Sequence, residues 1–86
     1  MQFRLNEHLS VRKIENEIFV LNRTDSKLHT FNDSGVMLWE AVQHCNSSEA
    51  LVDSLLLHYE VDRGIAEKDV LEFLEELFTI HLIEPL

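Results

Sequence analysis

The sequence predicts an α+β domain in which three strands are followed by three helices. Residues 10–31 contain short segments rich in β-branched and aromatic residues, separated by clusters of turn-forming residues. Residues 33–81 instead carry apolar residues at the three- and four-residue spacing of amphipathic helices. Because the chain has 86 residues, we expect residues 1–86 to form a single domain around one core.

The predicted strands occupy residues 10–15, 18–22 and 27–31. The second of them, IFVLN, is apolar on both faces, as in a buried strand. Asn16 and Glu17 are expected to form the first turn, and Thr24, Asp25 and Ser26 the second. The short turns indicate that consecutive strands lie side by side.

The predicted helices span residues 33–44, 47–59 and 63–81. A polar residue suited to cap the helix N-terminus precedes each of them. Asn32 is the expected cap of the first helix, Asn46 forms a capping box with Glu49 in the second, and Asp62 caps the third. Trp39 lies among apolar residues of the first helix, so we expect a buried indole whose N–H finds a hydrogen-bond partner.

The last predicted helix is strongly amphipathic. Its apolar stripe consists of Val70, Phe73, Leu74, Leu77 and Ile80. Leu71 and Phe78 widen the stripe on one flank, while Glu67, Glu72, Glu75 and Glu76 occupy the polar side. The apolar arc is wider than one small core requires, which indicates a second contact surface on this helix.

Charge and composition exclude several classes of partner. Sixteen acidic against seven basic residues give a formal net charge of −9, which opposes binding to nucleic acid or to an anionic membrane surface. The longest apolar runs are too short for a transmembrane helix, and residues 1–10 lack the apolar centre of a signal peptide. Cys45 is the single cysteine, so no internal disulfide is expected, and a cytoplasmic location is predicted.

Neither a metal site nor a catalytic centre is predicted. The five histidines, His8, His29, His44, His58 and His81, lack the spacing of metal ligands. No phosphate-binding loop or nucleophile motif is present, and Cys45 is interpreted as an inert thiol. We therefore expect no cofactor and no enzymatic activity.

Three segments carry a resemblance to a known family. Residues 29–42, HTFNDSGVMLWEAV, contain the pattern Asn-x-x-Gly-x-x-x-Trp-Glu, and residues 47–62 end in Leu-x-x-x-Tyr-x-Val-Asp. Residues 69–84 contain Asp-Val-x-x-Phe-Leu-x-x-Leu-x-x-x-x-Leu-Ile. In this order and spacing they resemble the PqqD-like family, whose members are also called RiPP recognition elements. Departures are Phe31 where leucine is commoner, a second turn without the usual glycine, and His81 where glycine often stands, which suggests a modified helix C-terminus.

The resemblance implies a winged helix-turn-helix-like fold whose three-stranded antiparallel sheet packs on three helices. It implies binding of the leader segment of a ribosomally synthesised precursor peptide and its presentation to a modifying enzyme, such as a radical SAM protein, a leader peptidase or a cyclase. In the family the leader adds to the third strand and lies against the third helix. The peptide-binding residues implied here are Lys27, Leu28, His29, Thr30 and Phe31 on the strand and Leu71, Leu74 and Phe78 on the helix. The acidic side of that helix favours a basic or amide-rich leader.

Two other classes of function are compatible with the predicted fold. A structural protein-interaction or dimerisation module would use the same apolar stripe, so a homodimer is an alternative. A DNA-binding winged helix fits the fold, but the net charge of −9 and the glutamates of the last helix oppose it.

Overall fold

The computed structural model describes every residue from Met1 to Leu86. Its elements in chain order are β1 (Phe3–Leu5), β2 (Leu9–Ile14), β3 (Glu17–Asn22), β4 (Lys27–Phe31), α1 (Ser34–Val42), α2 (Ser48–His58), α3 (Arg63–Thr79) and β5 (Ile83–Pro85). Strands β2, β3 and β4 form an antiparallel sheet in that order, and the three helices follow. The predicted α+β fold class, a three-stranded antiparallel sheet followed by three helices, is confirmed.

A second, two-stranded sheet was not predicted. β1 and β5 pair antiparallel, with Phe3 opposite Pro85 and Leu5 opposite Ile83. Phe3 of β1 and Ile83 of β5 are buried, so this ribbon contributes to the core. Strands of three residues are too short to show a periodic pattern, and pairing across the whole chain leaves no local signal.

Several predicted boundaries are wrong by one or two residues. The hairpin between β2 and β3 turns at Glu15 and Asn16 rather than at Asn16 and Glu17, and Glu15 adopts the left-handed φ of 55°. The β3–β4 turn includes the three expected residues, with Ser26 at a φ of 60° in place of the usual glycine. A tight turn needs left-handed backbone at one position, and here non-glycine residues supply it.

The helix caps are partly as predicted. Asp62 caps α3, because its Oδ2 accepts hydrogen bonds from the N–H groups of Gly64 at 3.0 Å and Ile65 at 3.3 Å. The cap of α2 is Ser47, not Asn46, since the Ser47 hydroxyl accepts from the N–H of Ala50 at 3.1 Å. The cap of α1 is Asp33, not Asn32, and its side chain accepts no capping hydrogen bond.

Helix α3 ends two residues before the predicted His81. His81 has a φ of 62°, and the N–H of Leu82 donates to the Leu77 carbonyl at 2.9 Å. The N–H of His81 donates to the Phe78 carbonyl at 3.1 Å, which completes a Schellman motif. The histidine therefore occupies the position where glycine normally ends a helix, as its alignment with the family motif suggested.

The core lies where the helices meet the sheet and the β1–β5 ribbon. Its fully buried large side chains include Trp39, Phe3, Leu51, Leu74 and Leu77. Trp39 is buried as predicted, but its indole Nε1 has no hydrogen-bond partner, so the expectation of a partner is wrong. None of the helices combines the length and apolar character needed to cross a membrane.

Candidate functional site

Strand β4 is an open edge of the three-stranded sheet. It pairs with β3 on one side only, through the register Ile18–Phe31, Val20–His29 and Asn22–Lys27. The backbone groups of Lys27–Phe31 that point away from β3 have no strand partner within the chain. Such unpaired N–H and C=O groups form a template onto which another extended segment can pair.

The side chains of β4 alternate between two faces of the sheet. Phe31, His29 and Lys27 lie opposite the buried residues of β3 and therefore share the inner face. Leu28 and Thr30 lie on the outer face, where the Leu28 side chain is 60% exposed. The Nε2 atom of His29 is buried and has no hydrogen-bond partner.

Phe31 joins β4 to helices α1 and α3. Its ring stacks on Trp39 with a centroid separation of 5.3 Å and an interplanar angle of 12°. The same ring meets Phe73 of α3 at 5.7 Å in a tilted arrangement. These contacts place the C-terminal end of β4 beside the face of α3 that carries Phe73.

A hollow of about 320 Å³ opens between α1, the end of α2 and this face of α3. Its apolar lining includes Met37, Leu38, Val61 and Phe73, and its polar lining consists of Ser34, Asp69, Glu72 and Glu76. We call it the α1–α3 groove. Ser34 follows β4 by three residues, so the groove continues from the end of the open strand.

The carboxylates of the α1–α3 groove form no ion pair within the protein. Asp69, Glu72 and Glu76 are exposed and take part in none of the ion pairs. The ion pairs of the protein lie elsewhere, as between Lys13 and Glu40 at 2.9 Å. The groove therefore combines an apolar floor with a rim of carboxylates that lack ion-pair partners.

The three helix residues expected to contact a peptide lie on a different flank of α3. Leu71 borders a hollow shared with Val52 and Arg63, Leu74 is completely buried, and Phe78 is partly buried against the core. Residues two positions apart on a helix do not face the same side, so Leu71 and Phe73 diverge. The structure brings Phe73, and not the flank of Leu71, to the end of β4.

The other residues with reactive side chains form no evident chemical centre. No group of three or more His, Cys, Asp and Glu side chains is arranged to hold a metal ion. Burial raises the pKa of the Cys45 thiol above its ordinary value. The N-terminal ammonium lies 2.7 Å from the Glu49 carboxylate. Its hydrogen bond to that carboxylate lowers the pKa of the Glu49 carboxyl.

These features define a small α+β domain whose sheet has one strand edge open beside an apolar groove. The family described as coenzyme PQQ synthesis protein D (PqqD) matches residues 17–83, which is most of the chain. The protein therefore belongs to the PqqD family. No curated protein matches this sequence.

Two solved structures share the fold. One, described as TbiB1 in complex with the TbiA(beta) leader peptide, has a TM-score of 0.84 and 23% identity over 94% of each chain. Another, described as lasso peptide synthetase B1 complexed with the leader peptide, has a TM-score of 0.81 and 22% identity, covering 99% of this chain and all of the other. At this level of identity, the likeness establishes a common fold.

Proposed function

We propose that this protein binds the leader segment of a ribosomally synthesised precursor peptide and presents that peptide to a modifying enzyme. The open edge of β4 beside the α1–α3 groove is the observation that carries the proposal. Membership of the PqqD family and the two similar structures, both described as leader-peptide complexes, support it. In this role the protein is a non-catalytic adaptor.

Strand addition explains how such a protein binds without a deep pocket. An extended leader satisfies the unpaired backbone groups of β4, and alternate leader side chains contact the protein. Backbone pairing provides affinity for any extended peptide, whereas the side-chain contacts provide selectivity. On the strand, the proposed contacts remain Lys27, Leu28, His29, Thr30 and Phe31.

The sheet has a second free edge, β2, which is less suited to this role. Five of the six β2 residues are exposed, and its side chains include the cations Arg12 and Lys13. Charged side chains on an edge strand discourage pairing with another chain. β4, in contrast, ends beside Phe73 and the groove, so a peptide added there gains apolar contacts as well as hydrogen bonds.

On the helix, we propose that the leader contacts the groove side of α3 around Phe73 and Glu76. This differs from the flank inferred from the sequence, which comprised Leu71, Leu74 and Phe78. Leu74 has no exposed surface, and Leu71 faces a hollow formed with α2. We therefore propose contacts on the groove side in place of these three side chains.

An NMR amide-shift titration with synthetic leader peptides from precursor genes beside this gene tests the proposal. We expect shifts at Lys27–Phe31 and along residues 69–76, with β2 as the internal control that stays unchanged. A folded sample that shows no shift with any of these peptides, or shifts centred on β2, would contradict the proposal. Concentration-dependent sedimentation in that sample would favour a dimerisation module instead.

Two proline variants, His29→Pro and Thr30→Pro, test strand addition at the backbone. Neighbouring N–H groups of a strand point to opposite edges, so one variant removes a donor from the open edge and the other from the β3–β4 ladder. The variant altered at the open edge should keep the native amide spectrum. We expect it to bind the leader about tenfold more weakly, because one hydrogen bond to the leader is lost and the proline ring prevents close approach of the two backbones. Unchanged affinity in that folded variant would exclude pairing at this position.

A further inference from the structure

We propose that the α1–α3 groove selects leaders in which a lysine or arginine lies next to an apolar anchor residue. This inference rests on the proposed function and specifies the chemistry of its ligand. It follows from two properties that the groove combines: an accessible apolar floor, and a rim of three carboxylates that form no ion pair within the protein.

The floor of the groove is apolar surface left in contact with water. Val61 and Tyr59 are each 42% exposed, and both line the groove together with Phe73 and Leu38. The volume of about 320 Å³ accommodates one large aliphatic or aromatic side chain. Burial of such an anchor removes apolar surface of both partners from water, which stabilises the complex.

The rim adds an electrostatic requirement. Glu72 and Glu76 are four residues apart and Asp69 precedes Glu72 by three, so all three carboxylates lie along one side of α3. Like charges at this spacing repel one another, and no lysine or arginine side chain of the protein forms an ion pair with them. A cation supplied by the ligand would interact favourably with all three.

The two properties together favour one arrangement of ligand residues. Lysine and arginine lay their methylene chains along apolar surface while the charged group extends to a polar boundary. A basic residue next to the anchor can therefore cover the floor and reach the rim. An acidic residue at that position would bring two negative charges together.

The preference for a basic ligand residue depends on the carboxylates that line the groove and does not follow from the net charge alone. Glu75 lies on the same helix but does not line the groove, and Glu67 lines the other hollow together with Arg63. Interactions between exposed charges weaken with distance and with salt, so the carboxylates that line the groove act most strongly on a ligand bound there. The double variant Glu67→Gln/Glu75→Gln removes two charges outside the groove and is therefore a control matched in charge to neutralisation of the rim.

A displayed library of natural leader segments tests this inference. Each leader is present in its native form and in a form with every lysine and arginine replaced by glutamine. With the unmodified protein, we expect native basic leaders to be enriched about three- to tenfold over their glutamine forms. The double variant Glu72→Gln/Glu76→Gln should reduce this ratio to near one, whereas the control Glu67→Gln/Glu75→Gln should preserve it.

The outcomes separate this inference from the proposed function. If leaders are enriched and shift the amides of β4 but the glutamine forms bind equally well, charge selection is wrong and leader binding stands. A ratio that falls equally in Glu67→Gln/Glu75→Gln and in Glu72→Gln/Glu76→Gln would show a general charge effect and overturn the assignment to the groove. If no leader is enriched, both the proposed function and this inference fail.

Discussion

At the residue scale, Phe31 connects the core to the open edge. It is the last residue of β4, and its ring touches both Trp39 and Phe73. A Cβ atom built on Gly35 would lie 3.5 Å from Phe31, so the start of α1 also packs against this ring. The side chain is only partly buried, which places it at the boundary between the core and the candidate site.

Replacement of Phe31 separates its packing role from its aromatic character. We expect Phe31→Ala to lower the free energy of unfolding by about 2–4 kcal/mol, because two aromatic contacts and their buried area are lost. Phe31→Leu, which keeps most of the apolar volume, should cost less than about 1.5 kcal/mol. Urea denaturation measures both values, and equal losses would contradict the assigned packing role.

Cys45 is expected to react slowly in the folded protein. Its raised pKa means that a smaller fraction of the thiol is ionised at pH 8, and only the thiolate is an efficient nucleophile. Alkylation by iodoacetamide at pH 8 should therefore be several-fold slower in the native protein than in the urea-unfolded chain. Equal rates in the two states would show that burial does not protect this thiol.

At the element scale, α3 serves two functions through two faces. Val70, Leu74 and Leu77 are completely buried in the core, whereas Glu72 and Glu76 lie on the side that lines the α1–α3 groove. The Schellman motif at His81 then reverses the chain so that β5 can pair with β1. The C-terminal end of α3 therefore sets where the second sheet begins.

Substitution of His81 tests the strain at this helix end. The left-handed backbone conformation costs a residue with a Cβ atom about 1–2 kcal/mol of conformational free energy, whereas glycine adopts it without this cost. Glycine loses more chain entropy on folding than histidine does, which offsets part of this gain. We therefore expect His81→Gly to raise the free energy of unfolding by about 0.5–1 kcal/mol. His81→Ala is the control, because it removes the same side chain without relieving the backbone and should give no increase.

At the scale of the whole molecule, the two edges of the three-stranded sheet differ in their surroundings. The outer strand β2 is almost entirely exposed, while β4 adjoins α1 and α3. The exposed valines Val11, on β2, and Val61, in the groove, have nearly equal exposure at 43% and 42%. The two valines differ mainly in position, so the same substitution at each of them can be compared to locate the binding surface.

We expect Val61→Ser to weaken leader binding about five- to tenfold, because apolar surface that the leader would bury is lost. Val11→Ser should leave the affinity unchanged. Titration calorimetry with one leader peptide measures both variants, and circular dichroism checks that each is folded. Equal affinities for the two variants would place the binding surface outside the α1–α3 groove.

The sequence by itself determined those features that depend on neighbouring residues. The order of strands and helices, the Asp62 cap, the burial of Trp39 and the glycine-like position of His81 are all present in the structure. Each rests on local spacing or on a short-range hydrogen bond, which a stretch of a few residues specifies. The bounds of β4 were predicted for the same reason.

Only the tertiary structure decided which surfaces meet. The β1–β5 pairing joins residues about 80 positions apart, as in the Arg4–Glu84 contact. The choice of Phe73 over Leu71 as the residue of α3 beside β4 depends on how the helix is rotated against its neighbours. The apolar arc of α3 includes both residues, and periodicity specifies that arc without specifying its partner. Packing of α1 and α2 against the helix fixes that rotation, and this information is distributed over the whole chain.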